Sequence, residues 1–181
     1  MTRKMRSMII ATAFLGAATT ARAVSFYSNS GLACEQAFGF SEPLFRDYDG
    51  TWNDSTTGAT ILNCPIAFST NQTETLTVNQ ASVSLIDNSS NLHFPCTPFQ
   101  KSTSGSVILG RTKEPCSATG GCSFPSSDLA PTGPRGVSWS SSELSPIGAL
   151  GATASNGIRC DPPPRSIFGR SGVNSILYRT P

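Results

Sequence analysis

The stretch Thr75-Leu76-Thr77-Val78-Asn79-Gln80-Ala81-Ser82-Val83-Ser84-Leu85-Ile86 decides the fold class. Its apolar residues alternate with polar ones, which puts them on one face of an extended strand rather than on a helical stripe. Leu76 and Val78 share one phase, whereas Ala81, Val83 and Leu85 take the other. The change of phase at Asn79-Gln80 requires a bulge or a break between two strands.

The same period recurs on both sides. Leu62, Cys64, Ile66 and Phe68 alternate within residues 60–68, and Leu92, Phe94 and Cys96 repeat the pattern. Residues 106–111, 136–140, 157–160 and 173–178 are further strand candidates, while the best helical candidate, 141–144, is one turn at most. Asp49-Gly50, Thr57-Gly58, Gly120-Gly121 and Asn156-Gly157 supply turn chemistry between them. Three prolines after Asp161 must stop the strand carrying Cys160, because proline donates nothing to a ladder. Short strands at close intervals predict an all-β fold, a single β-sandwich of Ig-like or jelly-roll-like type. Its expected core is Leu62, Ile66, Val83, Leu85, Phe94 and Ile158. The Ser-, Pro- and Gly-rich residues 125–150 read as long loops around one short strand at Trp139.

The N-terminus reads as an export signal. Arg3, Lys4 and Arg6 precede an apolar run over residues 8–18, and Ala21-Arg22-Ala23 offers a small-x-small cleavage site. The expected organisation is a signal peptide at 1–23 and a sandwich domain at 24–181 that is secreted, periplasmic or extracellular. No second apolar run is long enough to span a bilayer. Four of the thirteen basic residues leave with the signal, so nine remain against eleven acids, a formal charge of −2. Those nine are scattered, which argues against a nucleic-acid partner, since displacing counterions needs a clustered positive field.

All six cysteines follow the signal, and an even count in an exported chain reads as disulfides. With no C-x-x-C pair and a single histidine, a metal site is not expected. Cys116 and Cys122 enclose a short flexible loop and should be bonded. Of the pairings left to the other four, the one favoured here is Cys34 with Cys64 and Cys96 with Cys160. Cys64 and Cys96 share strand faces with apolar neighbours and should point inward.

Three runs, Gly50-Thr51-Trp52-Asn53-Asp54-Ser55, Ile61-Leu62-Asn63-Cys64-Pro65-Ile66 and Ile158-Arg159-Cys160-Asp161-Pro162-Pro163, carry a resemblance. Together they resemble a group of short exported bacterial β-sandwich proteins of unknown function. The shared pattern is a polar turn, a strand ending in Cys-Pro, a middle strand with Asp after alternating Val, and a late Cys before prolines. Cys116 and Cys122 are additions to it. The first two cysteines are also similar to the early-strand disulfide of pilin-like and spore-coat-type sandwiches. Neither resemblance implies catalytic residues.

Catalytic constellations are hard to assemble. His93, the sole histidine, alternates against Leu92 and Phe94 and should face outward, and no G-x-S-x-G elbow surrounds any serine. Acids are numerous, but several lie in turns, where they serve local hydrogen bonding. Residues 47–54 begin like a calcium loop yet lack the later ligands. Within that presumed turn, Tyr48 and Trp52 are candidate ligand-binding aromatics, with Trp52 equally consistent with exposure or core packing; Trp139 is expected in the core. Sequons stand at Asn53, Asn71 and Asn88. The expected function is a non-catalytic exported binding or structural module without cofactor, its partner unknown, a glycan or envelope protein fitting best. The alternatives are a small glycoside hydrolase, or an inhibitor or effector presenting the Cys116–Cys122 loop.

Overall fold

The computed structural model describes residues 25–37, 39–66, 76–89, 92–102, 104–117, 119–124, 133–144, 149–150 and 154–180. The expected signal at 1–23, Phe68 and the sequon at Asn71 lie outside them. The strands of the first half are β1 (Ser25–Ser30), β2 (Glu35–Gln36), β3 (Leu44–Asp47), β4 (Gly50–Asn53), β5 (Leu62–Pro65), β6 (Leu76–Thr77) and β7 (Gln80–Asp87). Those of the second are β8 (Cys96–Ser102), β9 (Val107–Leu109), β10 (Lys113–Glu114), β11 (Cys122–Ser123), β12 (Gly133–Ser140), β13 (Ala149–Leu150), β14 (Ala154–Cys160) and β15 (Ser171–Thr180). No α-helix occurs among the described residues; residues 141–144 form a turn closed onto the Ser140 carbonyl.

Two antiparallel sheets pack face to face as an all-β sandwich. One runs β12-β7-β15-β4-β3, with β1 sharing the β15 edge beyond β4. The other runs β11-β10-β8-β14-β5-β2, with β9 also on β8. The alternation of β7 sends Ala81, Val83 and Leu85 inward, where they meet Val137, Trp139, Val173, Ile176 and Tyr178 of neighbouring strands. Leu62, Cys64, Ile158 and Cys160 line the facing sheet. All six expected core residues and Trp139 are buried. The phase change at Asn79-Gln80 is a break: β6 pairs with β13 in a separate ribbon, and β7 starts at Gln80.

The disulfides are Cys34–Cys64, Cys96–Cys160 and Cys116–Cys122. Cys96 stands directly opposite Cys160 in the β8–β14 ladder, and Cys34 precedes by one residue the Glu35–Asn63 pair, which puts it opposite Cys64. Two of the three therefore rivet adjacent strands of one sheet. Three disulfides, with no helix among the described residues long and apolar enough to cross a membrane, fit an oxidising compartment.

Two readings need correction. Residues 92–95 are a connection, and β8 begins where the expected strand ended. Phe94 is buried all the same, so its alternation reported burial without reporting a ladder. Residues 47–54 are not one long turn either. They hold the two-residue turn Tyr48-Asp49 and then β4, which pairs on both sides, with β3 and β15. All four residues of β4 are buried, so Thr51 and Asn53 hide the period of two that would have marked the strand.

Candidate functional site at one end of the sandwich

Four connections, β2–β3, β4–β5, β7–β8 and β14–β15, cross between the sheets at one end. Polar side chains bind them to one another. Gln36 Nε2 donates to the Glu42 carbonyl and to Thr60 Oγ1, both at 2.9 Å, joining the first to the second. The fully buried Asn53 donates from Nδ2 to the carbonyls of Gly58, Pro162 and Pro163, and its Oδ1 accepts from the Ser55 amide. It thereby joins the second to the fourth, a junction repeated where the Arg165 amide donates to the Ser55 carbonyl. Asn88 and Ser166 join the third to the fourth: Asn88 Nδ2 donates to the Arg170 carbonyl, and Ser166 Oγ donates to the Asn88 carbonyl. With its polar groups so engaged, this end leaves Phe40, Leu92, Ile167 and Phe168 exposed.

On the outer face of the neighbouring sheet, Phe45, Asp47, Trp52, Ile86, Asn88 and Arg170 line a shallow depression of about 190 Å³. Phe45, Trp52, Gly172 and Ile86 follow one another across the ladder. A Cβ on Gly172 would come within 2.7 Å of the Trp52 ring, so glycine is what lets the indole lie over β15. The indole N–H donates to Asp47 Oδ1 at 2.9 Å, and the same oxygen accepts the Asp49 and Gly50 amides. The Trp52 hydrogen bond, assisted by those amides, holds the Asp47 carboxyl below the usual carboxylate range. Arg170 lies 4.0 Å from the Phe45 ring centroid and donates through Nε to Asp54 Oδ1 at 2.5 Å. That bond keeps the Asp54 carboxyl low, and Arg165 approaches the same oxygen at 3.5 Å.

The two candidate aromatics are thus parted. Tyr48 sits at the hairpin tip, 88% exposed and outside the depression, while Trp52 is 6% exposed and lines it beside its ladder partner Phe45. Phe45, which the sequence pattern did not single out, is the more exposed aromatic ring of the depression, with the Arg170 guanidinium over one face. Its signal was the pairing of β3 with β4, which a four-residue strand does not announce. Asp47, the first oxygen of the calcium-like run, is already taken up by the turn and by Trp52. Among the described residues no group of three His, Cys, Asp or Glu side chains is placed to hold a metal ion.

Other chemistry-bearing residues have structural partners. His93 is half-exposed, with Nδ1 2.6 Å from Oε2 of the fully buried Glu114 and the Phe124 ring edge-on to it. Asp87, also buried, accepts the Ser89 amide; burial pushes its carboxyl up, and Glu114 adds to that. These two acids are enclosed by protein rather than set across a cleft. In the Cys116–Cys122 loop, Gly120 and Gly121 lie against β12. The Gly120 carbonyl accepts the Ser138 amide at 3.0 Å, and a Cβ on Gly121 would reach Val137. Beside it lies a polar cleft of about 480 Å³ lined by Lys113, Ser138, Ser140 and Glu143, among others. Lys113 Nζ donates to the Ser138 and Gly120 carbonyls and pairs with Glu143 at 2.8 Å. Burial pushes the Glu143 carboxyl up, but the Lys113 and Ser140 hydrogen bonds outweigh it and hold the group low.

No protein-family model matches the chain, and no curated protein matches it.

Proposed function

We propose that the protein is an exported, non-catalytic recognition module of the cell envelope or extracellular space. Its working surface is the cross-tied end together with the depression beside it. The observation that carries this reading is the contrast within that end: polar side chains lock four connections into one piece, while large apolar side chains remain in solvent. Rigid loops on a disulfide-tied scaffold lose little entropy on binding. The depression is of a size for one sugar ring, with Phe45 as an apolar side and, as hydrogen-bonding atoms, those that the internal bonds leave over: the Arg170 Nη groups, Asp47 Oδ2 and Asn88 Oδ1.

Cell fractionation followed by a glycan array tests the reading. The exported chain is expected in the envelope or the medium, and Phe45→Ala should weaken glycan capture by about 1–2 kcal/mol while the melting curve is kept. Trp52→Ala is the wrong probe, because emptying a buried indole site costs about 3–5 kcal/mol of stability. Reproducible hydrolysis by the purified chain, lost on replacing one carboxylate, would overturn the non-catalytic reading.

A further inference from the structure

The fourth connection carries the most exposed apolar side chains of this end. Ser166 and Gly169 close a tight turn, each amide donating to the other residue's carbonyl at 2.9 and 3.2 Å, and the Phe168 amide donates to Ser166 Oγ. Ile167 and Phe168 project from its apex, 95% and 62% exposed. The turn is anchored through Ser166, Asn88 and the Arg165 amide. The turn is therefore held in the exposed position rather than folded back on the sheet.

Two further properties narrow what it meets. Three of the four tip amides, those of Ser166, Phe168 and Gly169, are bonded within the turn, which leaves the Ile167 amide to water or a lipid headgroup. At its base stand Arg165 and Arg170, which share the single carboxylate of Asp54 and so leave one positive charge over. Apolar side chains at the apex and guanidinium groups one step behind match the layering of a phospholipid surface, acyl boundary and then phosphate. Phe40 and Leu92 are exposed on the same end.

We propose that the turn Arg165-Ser166-Ile167-Phe168-Gly169-Arg170 is a wedge that docks this end on a phospholipid membrane. Ile167 and Phe168 enter the acyl boundary, and the arginines meet lipid phosphate. The wedge rests on the reading of this end as the recognition surface, and it shares Arg170 with the depression.

Vesicle flotation tests it, using chain recovered from an exporting host with its N-terminus checked by mass spectrometry. Vesicles of phosphatidylcholine mixed with phosphatidylglycerol should carry the chain upward. The double variant Ile167→Ser/Phe168→Ser should lower the bound fraction about tenfold or more, as expected from the apolar area removed. Ile108→Ser, at an exposed apolar site on β9, should float like the parent. Parent chain that stays at the bottom of the gradient overturns the wedge, as does a double variant that floats unchanged. Flotation only with vesicles carrying envelope protein overturns it too and assigns the turn to a protein partner. If glycan capture persists while flotation fails, the wedge alone falls; if both fail, the function reading falls with it.

Discussion

The cross-tied end and the flank where the β10–β11 hairpin meets β12 both concentrate polar side chains, but they leave different things over. At the flank, Lys113 and Glu143 point into the cleft and saturate each other, together with the Ser138 and Gly120 carbonyls and the Ser140 amide. The concavity of about 480 Å³ is the space around a structural strut. At the cross-tied end the polar groups that tie the connections are engaged as well, yet what is left over is a set of exposed apolar side chains, one arginine charge and an aromatic depression of only about 190 Å³. The comparison teaches that volume is a poor guide to a binding surface. What matters is which side chains the fold leaves without a partner inside the protein.

The disulfides give the largest test of this contrast. Cys96–Cys160 sits where the third connection ends and the fourth begins and closes a separation of 64 residues, whereas Cys116–Cys122 spans 6 at the flank. Loop entropy predicts losses of about 4 and about 2 kcal/mol when each pair is replaced by Ala. Urea titration checks the order; equal losses would mean that loop length does not set what each bridge contributes. Single polar struts come next. Asn53→Ala removes the side chain bonded to three carbonyls and an amide and should cost about 3 kcal/mol, against about 1–2 for Lys113→Met, whose partner Glu143 can turn to water. Amide exchange should then quicken in all four connections for the first variant and only around β10–β12 for the second.

The pH dependence divides along similar lines. Asp47 and Asp54 have carboxyls lowered in the folded state, so their contribution is present above the ordinary Asp value of 3.8 and lost as pH falls through their folded values. Asp54→Asn should flatten the acid limb of the stability curve. Asp87, raised by burial, behaves oppositely: its contribution is complete below 3.8 and lost as pH rises through its folded value. Asp87→Asn should therefore unfold at higher denaturant than the parent near neutrality and converge with it in acid. The smallest effect belongs to Ile167→Ser/Phe168→Ser, which should stay within about 0.5 kcal/mol of the parent in the same titration. A larger loss would mean that the turn packs on the fold rather than standing out from it.

Much of the scaffold was legible in the sequence. Alternation in β7 and around Leu62 and Ile158 reports a buried sheet face directly and turns Cys64 and Cys96 inward, but which cysteine each one meets is set by strand register. The hairpin β3–β4 was not legible, because burial on both faces of β4 with polar Thr51 and Asn53 erases the period. The site was less legible still. Trp52 and Asp47 stood out by composition, but Phe45 becomes their neighbour only through the ladder, and Arg170 reaches Asp54 across 116 residues of chain. The pairing of His93 with Glu114 likewise depends on the two-residue strand β10. Contacts of that kind are set by tertiary register, which no local pattern encodes.

Hydroxyl-radical footprinting of the exported chain, alone and with the envelope fraction that retains it, tests the central claim most directly. Bound chain should show protection at Phe168, Ile167, Leu92, Phe40 and Phe45, with Val107, Ile108 and Leu109 as reactive as before. Protection centred on the Lys113–Glu143 flank or on β9, with the cross-tied end still reactive, would contradict it.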